Sequence, residues 1–128
     1  MPVPITALYA ALQGILVIAL EAPIGRLRSS TNVSIYDGGN PALAGAIRRH
    51  ANWTEHVPFI LLLLALLELN GASPGLLHGL GAGLLVARIA HPFGLDPAKM
   101  RHPLRLVGAV GTLIVTAVAI VALLLETL

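Results

Sequence analysis

The sequence contains no cysteine, only five aromatic residues other than histidine, and charged side chains at just 11% of its 128 positions. Each shortage excludes something. Without cysteine there is no disulfide framework, no thiolate metal site and no cysteine nucleophile. Soluble domains carry about 25% charged residues, so a chain this poor in charge cannot cover a core in water. A mean hydropathy of +0.85 points to the bilayer as its solvent. The pI near 9.7 would fit nucleic acid. The eight lysines and arginines are too few, however, and lie too close to apolar runs for a nucleic-acid surface. Basic residues are also missing from the amino-terminal segment, the middle loop and the carboxyl-terminal segment.

What is present is four apolar segments, each near the ~20 residues needed to cross about 30 Å of hydrocarbon. They run from about 5 to 25, 41 to 68, 74 to 93 and 103 to 125, and predict an all-α integral membrane four-helix bundle in one domain. Asn40-Pro41 and Ser73-Pro74 are helix starts, an N-cap followed by proline in the first turn. The loops "SSTNVSIYDGGN", "LNGAS" and "GLDPAKMRH" hold turn residues. The first segment does not read as a signal peptide: it lacks a basic start and ends in Arg-x-Arg without a small-residue cleavage site. Threading up and down, Arg26, Arg28, Arg48, Arg49, Arg88, Lys99, Arg101 and Arg105 all fall on one side. The positive-inside rule puts that side in the cytoplasm and both termini outside.

The stretch "AIRRHANWTEHVPFILLLLALLE", residues 46–68, is the chemical anomaly. Arg48, Asn52 and Glu55 sit at i, i+4 and i+7, within a helical stripe roughly 60° wide. Arg49 and His56 flank that stripe. Pro58 cannot donate to the carbonyl of Thr54, which predicts a kink beside the polar cluster. A charged side chain near mid-membrane costs about 2.5–3.5 kcal/mol on insertion scales. These groups should therefore face a protein interior or an aqueous cavity. The bland alternative is that the arginines only snorkel and Glu55 pairs with one of them. Arg88 and His91 share a face near the end of the third segment, Arg101 and Arg105 open the fourth, and Arg26 closes the first. So many like charges repel unless an anion compensates them.

"RLR", "RRHANWTEHVP", "RIAHPFG" and "MRHPLR", in order along the four segments, resemble the MAPEG family, the membrane-associated proteins of eicosanoid and glutathione metabolism. The "DGGN" turn and the "HANWTEHVP" run are similar to its small bacterial branch. The resemblance implies a homotrimer in the bacterial inner membrane, with glutathione bound between subunits and open to the cytoplasm. By position, Arg26 would reach its carboxylates, and Arg48, Asn52 and Glu55 would hold its backbone. Arg88, His91 and Arg101 would support or bind it. Arg105 matches the arginine that stabilises the glutathione thiolate for attack on a lipophilic electrophile, the chemistry of a glutathione transferase or peroxidase. The catalytic members' tyrosines are absent: Leu95 stands near one such position, and the fourth segment has none.

Other patterns are weaker. His50 and His56 sit six apart, on well-separated helix faces, which is not a zinc spacing. Gly79 and Gly83, and Gly108 and Gly111, predict close helix packing. His78 reads as interfacial. Glu21 could pair with Arg26 or line the site. The rival functions are a small four-helix transporter using Glu21 or Glu55, and a non-enzymatic membrane protein that keeps the fold. One-sided basic residues argue against an antiparallel transporter, and an arginine-rich pocket suits an anion better than a cationic drug.

Overall fold

The computed structural model describes residues 2–95 and 102–128, so Lys99 and Arg101 lie outside the described residues. Four helices follow one another: α1 (Pro4–Thr31), α2 (Pro41–Leu69), α3 (Pro74–Phe93) and α4 (Pro103–Thr127). All four are long and apolar enough to cross a membrane. Each begins with a proline, whose missing N–H costs nothing in a first turn. Side chains then take up the remaining N–H groups. Asn40 accepts from Ala42 and Leu43, Ser73 from Leu76, and His102 from Leu104. At α1 the residue before the helix is Val3, which has no side-chain acceptor. The cap comes instead from the far end of α2, where the Glu68 carboxylate accepts from Ile5 N at 2.8 Å and Thr6 N at 2.7 Å.

The first helix runs six residues past the apolar segment that announced it, so Arg26 and Arg28 lie within α1 rather than closing it. Hydropathy ends at Gly25, but nothing in "RLRSST" breaks a helix. Thr31 Oγ1 and Ser30 Oγ bond back to the Leu27 carbonyl. The stop is Asn32, in the left-handed region at φ 54°, with Val33 N returning to Arg28 O. At 28 residues, α1 is about 42 Å long. α2 continues through Pro58 as one helix.

The bundle threads up and down. α3 packs most extensively on α4 and α1 on α2, while α1 and α4 do not touch among the described residues. Close approach of α3 to α4 depends on Gly108, where a Cβ would lie 2.5 Å from His91 Cβ, and on Gly111, against Ala87 Cβ. Of the predicted pair on α3, Gly83 meets Val115 but Gly79 faces open space. The glycine that matters there is Gly81, which receives the ring of Tyr9 from α1.

Along its length the bundle has two halves. The apolar core is made by Val57, Ile60, Leu64 and Leu67 of α2, by Leu77 and Leu84 of α3, and by Ala119 of α4. It fills the half nearer the α2–α3 turn. The other half, where the arginines gather, is held by polar contacts. The outer surface is lined with exposed leucine, isoleucine and valine side chains, which suit lipid.

Candidate functional site: a polar cluster at the arginine-bearing end

The predicted stripe on α2 is split by the fold. Arg48 and Glu55 reach along the helix to one another in a two-pronged contact, Nη1 to Oε1 and Nη2 to Oε2, both at 2.8 Å. The pair sits on the flank of the bundle, with side chains 53% and 47% exposed. Asn52, one turn from each, turns inward instead. Its Oδ1 accepts from Arg88 Nη1 of α3 at 2.8 Å.

Arg88 is the centre of the interior half. It is 3% exposed. Its second nitrogen, Nη2, donates to Gly108 O at 3.1 Å and to Thr112 Oγ1, both on α4. One guanidinium thus ties three helices together. All of these acceptors are neutral. Nε is left as a buried donor without an acceptor among the described residues. His91, one turn further along α3, is also buried, its backbone against Gly108. Asn52, Arg88, His91, His56, Thr112 and Thr116 border a cleft of about 210 Å³ between α2, α3 and α4.

Arg49 does not snorkel. Its Nε donates to Pro92 O at 3.1 Å and its Nη2 to Leu95 O at 2.7 Å. A cation there satisfies carbonyls that a helix C-terminus leaves without intrahelical partners, and complements the helix dipole. Just beyond, the backbone of Gly94 lies against that of Arg105, closer than any Cβ would allow. Arg49 therefore fixes the α3–α4 corner that carries His91 and Arg105 against α2.

Of the remaining predicted residues, Arg26 is exposed on α1 and forms no ion pair among the described residues. Arg105 is half-buried at the start of α4. Arg101 lies outside the described residues. Glu21 is exposed, and its pairing with Arg26 does not form among the described residues. A little over four turns of α1 separate Glu21 from the residues that Glu68 caps.

Several polar residues escaped the sequence reading. Gln13 of α1 is fully buried and accepts from Trp53 Nε1 at 2.9 Å, which brings α1 into the interior network. Its signal was available: it is the lone amide in an apolar segment. Thr112 looked like an ordinary residue of an apolar helix. His78 is more than interfacial, because its ring nitrogen Nδ1 lies 3.1 Å from Tyr9 Oη, which also donates to His78 O.

The sequence pattern of the MAPEG family matches residues 6–125, nearly the whole chain and all four helices. The chain belongs to the MAPEG family. Among MAPEG-like relatives, the inner membrane protein YecN of Escherichia coli K12 is 37% identical over 97 residues, 76% of this chain and 74% of that one. YecN of the O6:H1 strain matches to the same extent. No solved structure matches the chain. Family membership and four spanning helices make this an integral membrane protein.

Proposed function

We propose that this MAPEG protein binds glutathione at the arginine-bearing end of a homotrimer in the bacterial inner membrane. There it would present the thiolate to lipophilic electrophiles. The observation that carries the reading is the Arg48–Glu55 pair, half exposed on the flank of a membrane helix. Lipid cannot solvate it, so a neighbouring subunit or an aqueous cavity must border it. A cation and an anion side by side match a ligand bearing both a carboxylate and an ammonium. Exposed pairs of this kind hold one another only weakly. A zwitterion can therefore exchange partners with them at little cost.

Three further features support it. Arg88 and Arg49 are surrounded by neutral oxygens, which leaves the interior with uncompensated positive charge facing the same end. The one-sided basic residues direct that end to the cytoplasm. YecN is named an inner membrane protein. Arg105 is the residue suited to chemistry: a thiol with a pKa near ~8.5 becomes more acidic beside a guanidinium, and the thiolate is the nucleophile. Binding rests on several groups, turnover on Arg105 alone, since Leu95 and an α4 without tyrosine supply no phenol.

Calorimetric titration of glutathione into detergent-purified protein is the test. Saturable binding that Arg48→Ala and Glu55→Ala each weaken by at least ten-fold, about 1.4 kcal/mol, is the expected result. Arg105→Ala should retain most of the binding but lose the ultraviolet absorbance of the bound thiolate. Absence of binding by folded protein at millimolar glutathione would overturn the reading.

A further inference from the structure

A second groove lies beside Arg48 and shares no lining residue with the cleft at Arg88. It encloses about 250 Å³ and is lined by Tyr36 and Asp37 of the α1–α2 loop and by Ala44, Ile47, Arg48 and Ala51 of α2. The four α2 positions are spaced i, i+3, i+4 and i+7, a single helical stripe. They form a floor of small and aliphatic side chains ending in a cation. The opposite rim carries a phenol and a carboxylate.

That rim is built, not incidental. Tyr36 has φ 56°, a left-handed conformation that a bulky side chain adopts only when its surroundings impose it. Arg28 imposes it from α1, donating from Nη1 to Tyr36 O at 2.9 Å and to Val33 O at 3.3 Å. Asp37 closes the following turn, accepting from Gly39 N through Oδ1 at 2.9 Å and from Asn40 N through its carbonyl at 2.9 Å. Gly38 leaves room for Val33, whose Cγ2 would lie 2.6 Å from any Cβ there. The outcome is a fixed loop that leaves Tyr36 79% exposed beside the groove.

We propose that Tyr36 is a ligand-contacting residue and that residues 32–39 form the outer wall of the Arg48 site. The ligand is a small zwitterionic peptide of the glutathione class, so the inference rests on the function proposed above and extends it to a loop outside the four helices. Charge complementarity selects that class. Arg48 suits a carboxylate, Asp37 adds to Glu55 a second anion for the ammonium, and the floor of Ala44, Ile47 and Ala51 suits the aliphatic chain beside them. The Tyr36 ring covers the ligand from the aqueous side.

The chain has two tyrosines, and Tyr9 is buried, so chemical labelling reads Tyr36 separately. Full-length protein is treated with tetranitromethane with and without S-methylglutathione, which has no thiol to consume the reagent. Nitration at each tyrosine is quantified by peptide mass, and binding of the same ligand is followed by calorimetry. Ligand should reduce Tyr36 nitration several-fold, leave Tyr9 unchanged, and give no protection in Arg48→Ala. Tyr36→Ala should weaken binding by roughly ten-fold, the scale of one packed aromatic contact. Saturable binding with undiminished nitration of Tyr36 would overturn this inference and leave the glutathione reading standing. No calorimetric binding would remove the reading itself. Ligand-free protection on transfer from detergent into phosphatidylethanolamine–phosphatidylglycerol vesicles would assign Tyr36 to the lipid headgroups and also overturn it.

Discussion

Arg88 offers the sharpest test of how this bundle tolerates a buried charge. The perturbation is a double-mutant cycle with Asn52. Hydrogen bonds to a charged group contribute about 1.5–3 kcal/mol each, and Arg88 makes three good ones, to Asn52 Oδ1, Gly108 O and Thr112 Oγ1. Summing them would mislead, because burying the guanidinium costs several kcal/mol in return. The informative quantity is what each substitution leaves behind. Arg88→Met removes the desolvation cost together with the bonds. Gly108 O still accepts from Thr112 Oγ1 at 2.7 Å, so the Asn52 amide is the group left stranded. That variant should lose about 1–3 kcal/mol. Asn52→Leu is worse. Arg88 Nη1 then has only the backbone oxygen of residue 52, at 3.5 Å, and an unsatisfied buried donor on a charged group costs about 3 kcal/mol or more. In the double variant neither group is stranded, so it should be more stable than the two losses predict, by about 2 kcal/mol. Reversible unfolding in mixed micelles, followed by circular dichroism, measures all four proteins. Additivity within about 0.5 kcal/mol would refute the claim that Asn52 and Arg88 are one unit.

Two further predictions address the geometry of the site. Arg49→Ala should lower stability by roughly 1–3 kcal/mol, since it strips two charge-assisted bonds from the α3 C-terminus; Arg49→Lys should recover part of this, having one point charge where the guanidinium offers a fork. Equal stability of all three proteins would show that the α3–α4 corner holds itself. Gly108→Ala should cost about 1–3 kcal/mol by forcing α4 away from His91, whereas Gly79→Ala, facing open space, should be neutral or stabilising by up to about 1 kcal/mol. Thermal unfolding compares them, and a neutral Gly108→Ala would sink the packing argument.

How much of this was legible in the sequence depends on the kind of signal each feature leaves. The spans were legible because hydropathy is a sum over ~20 residues and survives local error. The end of α1 was not, because it is set by the left-handed Asn32 rather than by the last apolar residue. Arg48 and Glu55 were correctly placed on one stripe by helical period alone. The same period put Asn52 with them, yet its partner is Arg88, since a stripe 60° wide still spans an outward and an inward direction. Arg49 was opaque for another reason. Its acceptors are backbone carbonyls of another helix, which leave no residue-type signature. The Gly-x-x-x-Gly pattern named Gly79, but Gly81 is the close contact, because that choice depends on where Tyr9 of α1 lands. For the same reason Tyr36 could not be joined to Arg48 in advance: a turn's path over a helix is decided by its own φ values and by Arg28.

The division of the bundle into halves explains why a charged site can exist here at all. The leucine-rich half of α2, packed on α3 and α4, is an ordinary apolar core that supplies stability without specificity. The other half gives interior volume to the buried Arg88, His91 and Thr112, with the half-buried Asn52 beside them. Arg88 and Arg49 could have been neutralised by carboxylates on neighbouring helices. Instead they take amide, hydroxyl and carbonyl oxygens, which solvate a cation without cancelling it. Glu55, the carboxylate nearest to them on α2, is engaged by Arg48. The positive charge therefore remains uncancelled at the arginine-bearing end of the bundle. A ligand with more carboxylates than ammonium groups would relieve it, and one with a net positive charge would not. A field of that sign favours an anionic ligand over a cationic one, in keeping with the ligand proposed above.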